Sequence, residues 1–160
     1  MDKKKKKTAI IILCLCVVLT LGIAAYVMSR QQKDSDSVFQ PDLDPNAGIA
    51  TSQDEDKPEG IRIPGYPAII IPAGETEVTM NLMNPEGNPC YFTFGLVLTD
   101  TDETIYTSKM VEPGKSITNV TLSKPLEAGE YPAVIKISTA SLADGSQMNG
   151  ANVETILIAE

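Results

Sequence analysis

Residues Leu126–Ile137 read LEAGEYPAVIKI and are the part of the chain most informative about its architecture. After the glycine, apolar and other residues alternate with the period of two that a half-buried β-strand requires. The alternation predicts a strand over residues 130–139, with Tyr131, Ala133, Ile135 and Ile137 facing inward. The pattern Leu126, Gly129, Tyr131 further predicts that the tyrosine hydroxyl bonds back to nearby backbone, an arrangement called a tyrosine corner.

Six further runs of β-forming residues occur after residue 60, separated by Pro, Gly, Asn and Asp. The strongest is Cys90–Thr99, in which Phe92, Phe94, Leu96 and Leu98 share one face. The other predicted strands are Ala68–Ile71, Glu77–Met83, Thr104–Val111, Ser116–Leu122 and Asn152–Ile158. The facing of the last strand is left undecided.

One of these strands does not alternate cleanly. Ile117, Val120 and Leu122 cannot all face inward in a regular strand, so we expect a β-bulge near Thr118-Asn119.

Seven short strands in about 100 residues, with no helical period, predict an antiparallel β-sandwich. The tyrosine corner makes it immunoglobulin- or fibronectin-like. The chain has no Trp and one Cys after residue 16, which excludes the Cys-Trp-Cys core of antibody domains. We therefore expect a core built on Phe92, Phe94 and aliphatic side chains.

The N-terminus predicts a membrane anchor. A basic cluster in residues 1–7 precedes an uncharged apolar stretch from Thr8 to Met28, which as a helix would span roughly 31 Å, the thickness of a bilayer core. The positive-inside rule places the N-terminus in the cytoplasm and residues 29–160 outside. The cluster consists of Lys3, Lys4, Lys5, Lys6 and Lys7.

A cleaved signal peptide is the alternative to an anchor, because Gly22, Ala24 and Ala25 are small residues of the kind found at cleavage sites. The apolar stretch continues beyond them to Met28, however, and this favours an uncleaved signal anchor.

Residues 29–60 are predicted to be a flexible acidic linker, followed by an extracytoplasmic β-sandwich domain at 61–160. The linker holds 3 basic and 8 acidic residues, and the whole of 29–160 holds 8 and 20, a net charge of −12. Such a charge argues against binding of nucleic acid, which requires clustered Lys and Arg.

This layout resembles a loose group of short single-pass membrane proteins of Gram-positive bacteria, with a Lys-rich N-terminus, one span, an acidic linker and one immunoglobulin-like sandwich. Four motifs carry the resemblance, and the group implies no assigned activity. The motifs are Ile63-Pro64-Gly65-Tyr66, Asn84-Pro85 with Asn88-Pro89-Cys90-Tyr91-Phe92, Glu112-Pro113-Gly114-Lys115, and Leu126 with Gly129-Glu130-Tyr131.

The chain has no histidine, so catalytic centres that depend on imidazole are excluded, and no other nucleophile–base pair is evident. We expect no enzyme activity and no cofactor. The acidic turn with Asp100, Asp102 and Glu103 is a weak candidate for Ca²⁺, although Asp is common in turns for conformational reasons. Cys90, the one cysteine after the span, is expected to pack inside the domain, the alternative being a disulfide with another chain.

Two functions remain. The first is a non-enzymatic binding or scaffolding module that meets a protein partner of the cell envelope, with strand addition as a binding mode that Pro67 and Pro72 restrict at one edge. The second is an accessory subunit of a transport or secretion assembly whose contacts lie in the membrane. Small residues at four-residue spacing, Cys16, Thr20 and Ala24, also leave homo-oligomerisation open.

Overall fold

A computed structural model describes residues 39–50 and 60–160 of the chain. The predicted basic tail 1–7, the predicted span 8–28 and the linker segments 29–38 and 51–59 lie outside the described residues. Within the described ranges the fold is all-β, with eight strands. These are β1 (Ala47–Ile49), β2 (Ile69–Ile71), β3 (Glu77–Asn84), β4 (Cys90–Leu98), β5 (Glu103–Thr107), β6 (Lys115–Thr121), β7 (Gly129–Ser141) and β8 (Gln147–Ala159).

Residues 39–50 and 60–160 include no helix with the length and apolar character that crossing a membrane requires.

The strands form two sheets. The smaller has the order β1-β6-β3, and the larger has the order β2-β8-β7-β4-β5. All pairs are antiparallel except β2 with β8, which run parallel. The seven predicted strands correspond to β2–β8, and the all-β, β-sandwich-like architecture is confirmed.

One core cluster draws side chains from both sheets. Phe92 and Phe94 are fully buried at its centre, with ring centroids 5.9 Å apart in the edge-to-face arrangement that aromatic pairs favour. Leu96 and Leu98 are buried on the same face of β4, as the alternation predicts. The smaller sheet contributes Val78, Met80, Leu82, Ile117 and Val120 to the same cluster.

The pairing of β3 with β6 is irregular opposite Thr118, but the extra residue lies in β3 and not in β6, where the sequence predicts the bulge. The register shifts between Thr79 and Leu82, so that two residues of β3 lie opposite Thr118. Thr118 and Asn119 are both exposed, while Ile117 and Val120 are both buried. The irregularity therefore lets β6 bury residues that strict alternation would place on opposite faces.

Two strands differ from their predicted bounds by four residues or more. β5 ends at Thr107 rather than Val111, because Asp44 accepts a hydrogen bond from the N–H of Lys109 and Met110 bonds to residues 42 and 44. β8 begins at Gln147, five residues before the prediction, and continues through a bulge opposite residues 137–139 of β7. Gly150 permits this bulge, since a Cβ there would lie 2.3 Å from the carbonyl oxygen of Ile137.

The structure also differs from the predicted linker. Residues 39–50 belong to the same compact unit as the strands, with β1 paired antiparallel to β6. Asp42 forms an ion pair of 2.9 Å with Lys109, and the ring of Phe39 occupies the space beside Gly145. Gly145 suits this position for two reasons. It has no side chain to collide with Phe39, and its φ of +70° is a backbone conformation that favours glycine. The predicted domain boundary at residue 61 is therefore too late.

Candidate partner-binding surface

The tyrosine corner predicted at Tyr131 is present. Its hydroxyl donates a hydrogen bond of 2.9 Å to the carbonyl oxygen of Glu127, four residues upstream. Leu126 is buried, and its carbonyl oxygen accepts a bond of 2.8 Å from the N–H of Gly74 in the β2–β3 turn. A Cβ on Gly129 would make ordinary contact with the Tyr131 ring. The motif therefore fixes the connection that enters β7.

The three calcium candidates lie around the β4–β5 turn, but the structure does not bring them together around one point. Glu103 forms an ion pair with Lys124, and Asp102 lies 4.0 Å from Lys136. Across residues 39–50 and 60–160, no three or more Asp, Glu, Cys or His side chains are grouped closely enough to hold a metal ion. Two of the three candidates, Asp102 and Glu103, thus face lysines.

Sequence reasoning missed a buried hydrogen-bond cluster at the β3–β4 turn. Asn84 has no exposed surface. Its Nδ2 donates to the carbonyl oxygens of Cys90 and Val111, both at 2.9 Å, and its Oδ1 accepts from Nδ2 of Asn88 at 2.8 Å. The carboxamide therefore makes three hydrogen bonds where no water reaches it, and it holds together three segments of backbone.

Asn88 extends this cluster to the residues before β2. Its Oδ1 accepts from the N–H of Arg62 at 2.8 Å, and its Nδ2 donates to the carbonyl oxygen of Arg62 at 3.0 Å. The available signal was the repeated Asn-Pro pair at positions 84 and 88. Asn before Pro indicates a turn, but spacing alone does not show that both side chains turn inward.

Cys90 is free and fully buried, which confirms that it packs inside the domain. Burial raises the pKa of its thiol. A thiol held in its protonated form is a poor nucleophile, in contrast to the lowered pKa of reactive cysteines. The hydroxyl of Ser108 is hydrogen-bonded to backbone on both sides. Its Oγ accepts from the N–H of Phe94 at 2.9 Å and donates to the carbonyl oxygen of Lys109 at 2.7 Å.

Most sheet edges are covered in part. At the β6 edge, β1 pairs with residues 115–117. At the β3 edge, the N–H of Met83 donates to the hydroxyl of Tyr66 at 3.0 Å. At the β5 edge, the carbonyl oxygen of Ile105 accepts from the N–H of Ser123 at 2.8 Å. Such cover limits uncontrolled pairing with other chains.

The edge of β8 is also covered only in part. β2 pairs with it only at residues 157–159, and in the described part of the chain no other strand lies on that side of β8. We call residues 151–156, which continue in regular register with β7, the open β8 edge.

Exposed apolar residues lie beside this edge on the outer face of the larger sheet. Ile70 is 61% exposed and Ile156 is 42% exposed. Ile156 lines a groove of about 450 Å³ together with Pro67, Pro132, Glu154 and others. Exposed apolar side chains grouped next to an open strand edge are typical of a protein-binding surface.

The domain as a whole is acidic. Residues 39–50 and 60–160 hold 14 Asp and Glu against 5 Lys and Arg, a net charge of −9. Three of the five cations, Lys109, Lys124 and Lys136, already lie within 4.0 Å of carboxylates. The field around this domain therefore favours a basic partner.

Comparison with known protein families, with curated proteins and with solved structures finds no match to this chain.

Proposed function

We propose that the chain is a membrane-anchored, extracytoplasmic binding or scaffolding module of the bacterial cell envelope, without catalytic activity. The observation that carries the proposal is the open β8 edge with exposed apolar residues beside it. A binding role suits this surface because an unpaired strand edge supplies hydrogen bonds to a partner, and apolar side chains supply contact area.

The lack of catalysis is supported by the state of the reactive groups. The sequence contains no histidine. Cys90 is buried with a raised pKa, and the hydroxyl of Ser108 is engaged by backbone groups on both sides. None of these contacts pairs a nucleophile with a base, which covalent catalysis requires.

The membrane anchor is proposed from the sequence. The lysines of residues 1–7 precede the uncharged stretch 8–28, as in a signal anchor with its N-terminus in the cytoplasm. The compact unit begins at Phe39, so ten residues, 29–38, separate it from the proposed span.

We also propose that the domain belongs to the immunoglobulin-like class. Counted from β2, the second and fifth strands are neighbours in one sheet, and the third, sixth and seventh are neighbours in the other, as in that class. The tyrosine corner lies near the start of the sixth strand, at Tyr131. β1 precedes these seven strands and is an addition to the pattern.

Chemical crosslinking in native membranes tests the binding role. The full-length chain is compared with a variant in which residues 8–28 are replaced by an unrelated membrane span. Recovery of the same partner with both supports a recognition module outside the membrane. A partner seen only with the native span would contradict it and would indicate the accessory-subunit function, with contacts made in the bilayer.

A further inference from the structure

The direction of the backbone groups along β8 follows from two independent sets of hydrogen bonds. On the β2 side, the N–H of Glu160 donates to the carbonyl oxygen of Ile71, and its own carbonyl oxygen accepts from the N–H of Ala73, both at 3.1 Å. Glu160 therefore directs its polar backbone groups to the β2 side. Alternate residues of a strand direct these groups to the same side, so Ile158, Ile156, Glu154 and Asn152 do likewise.

The β7 side gives the same answer. The carbonyl oxygen of Pro132 accepts from the N–H of Thr99 at 2.9 Å, so Pro132 directs its backbone toward β4. Ala133 and Ile135 then direct theirs toward β8, where they pair with Thr155 and Val153. The odd-numbered residues of this part of β8 are thus bonded to β7, and the even-numbered ones point away from it.

Asn152 and Glu154 consequently present two N–H donors and two carbonyl acceptors to the open β8 edge. Among residues 39–50 and 60–160, no backbone hydrogen bond reaches these four groups from that side. The edge is regular over its whole length, because the register with β7 is continuous from Thr155 to Ala151 and the bulge lies beyond, at residues 149–150. β2 already pairs with the next three positions of the same edge.

We propose that the open β8 edge binds an extended, basic segment of a partner protein by strand addition. The inference rests on the proposed binding function and specifies its site and the chemistry of its partner. The segment pairs with Asn152 and Glu154, beyond the point where Pro67, which has no N–H to donate, limits the extension of β2 on its N-terminal side.

The side chains beside the edge define what the segment carries. Glu154 and Ile156 lie two residues apart and therefore on the same, outer face. A Lys or Arg opposite Glu154 and an apolar residue opposite Ile156, near Ile70, complement them. On the inner face, the half-buried Val153 packs against the core and favours a β-branched neighbour. The net charge of −9 disfavours an acidic segment, including the same edge of a second copy.

Synthetic peptides test the proposal with the full-length chain in neutral detergent. The probe is a fluorescent eight-residue peptide of alternating Lys and Val, and the controls are its Glu-Val counterpart and a Lys-Val peptide N-methylated at alternate backbone nitrogens. We expect the Lys-Val peptide to bind at least about tenfold more tightly than either control. Hydrogen exchange should show new protection at the N–H groups of Asn152 and Glu154.

Two variants locate the site. Glu154→Pro removes an edge-facing N–H and leaves the N–H groups bonded to β7, so affinity for the Lys-Val peptide should fall at least about tenfold. Glu154→Lys keeps the backbone and reverses the charge, which should also weaken binding, and it remains informative if the proline variant does not fold. Unchanged affinity in Glu154→Lys together with protection outside residues 151–156 would overturn the proposal.

The same variants separate this inference from the proposed function. If crosslinking still captures the envelope partner when full-length Glu154→Lys is used, the binding function stands and the open β8 edge is not its site. If no partner is captured with the native chain, the binding function itself fails.

Discussion

Replacing Asn84 by alanine should destabilise the protein more than almost any other change of one polar side chain. The substitution removes the donors to the carbonyl oxygens of Cys90 and Val111 and the acceptor for Asn88. A buried hydrogen bond contributes about 1 kcal/mol net to stability, so three of them give about 3 kcal/mol. The cost is not fully relieved by water, because Asn84 has no exposed surface.

The remaining partners refine this magnitude. The carbonyl oxygen of Val111 keeps a second hydrogen bond, from the N–H of Phe92 at 3.0 Å, so it is not left unpaired. Nδ2 of Asn88 keeps its bond to the carbonyl oxygen of Arg62 but loses the other. The estimate therefore stays near 3 kcal/mol. At about 4 °C per kcal/mol, it corresponds to a fall in Tm of about 12 °C.

The measurement is urea unfolding of the full-length protein, followed by the near-ultraviolet circular dichroism of its tyrosines. Asn81→Ala is the matched control, since Asn81 lies on the same strand but is exposed, and its change should stay within about 0.5 kcal/mol. Asn84→Asp keeps the shape and replaces two donors by an acceptor, so it should be destabilising at neutral pH. Equal unfolding free energies for Asn84→Ala and Asn81→Ala would refute the assignment of Asn84 as a structural centre.

Three further substitutions each test one feature of the structure. Tyr131→Phe removes the hydrogen bond to Glu127 and should lower the free energy of unfolding, measured by thermal unfolding, by about 1 kcal/mol. The hydroxyl of Tyr91 makes no hydrogen bond within the described residues, so the control Tyr91→Phe should change it little. Asp102→Gly should raise stability by about 0.5–1 kcal/mol, because Asp102 has φ 50°, and Asp100→Gly, without a positive φ, should not. Burial, with the charge of Asp44 as a second cause, raises the pKa of Tyr106 to about 12. Since an unfolded tyrosine ionises near pH 10, Tyr106 contributes stability that is fully present below pH 10 and lost as the pH rises through about 12. Tyr106→Phe should flatten the fall in unfolding free energy over that range, and an equally steep fall would contradict the assignment.

Strands with one buried face were predictable, because their apolar and polar residues alternate in step with their buried and exposed positions. In β4, Phe92 and Phe94 alternate with half-buried residues and their inward facing follows from the sequence. In β8, Ile156 faces out while Leu157 faces in, so apolar residues occupy both faces and periodicity carries no information. The bulge at Gly150 also could not be predicted from the pattern of apolar residues, because it depends on a close tertiary contact between Gly150 and Ile137.

β1 was missed for a related reason. Its three residues include Gly48 and an isoleucine, Ile49, that is 85% exposed, so neither propensity nor burial marks them as a strand. The strand exists because its backbone pairs with β6, at residues 115–117, and no local feature of the sequence encodes that partner. The surroundings of the calcium candidates were also not predictable from local sequence. The lysines that face Asp102 and Glu103 come from β7 and from the connection between β6 and β7.

The contacts that other parts of the chain make with the edge strands are relevant to the proposed binding function. Three edges receive a contact from the described part of the chain, through β1, Tyr66 and Ser123. At the β8 edge, β2 pairs with three residues, and β8 continues for ten more toward its N-terminus; β1 likewise pairs with only three residues of β6. An edge that served only to complete the fold would gain stability from a longer β2, since each added pair satisfies two polar backbone groups. The described residues leave this stretch of β8 unpaired beside Ile70 and Ile156, and the proposed strand addition would use these unpaired backbone groups.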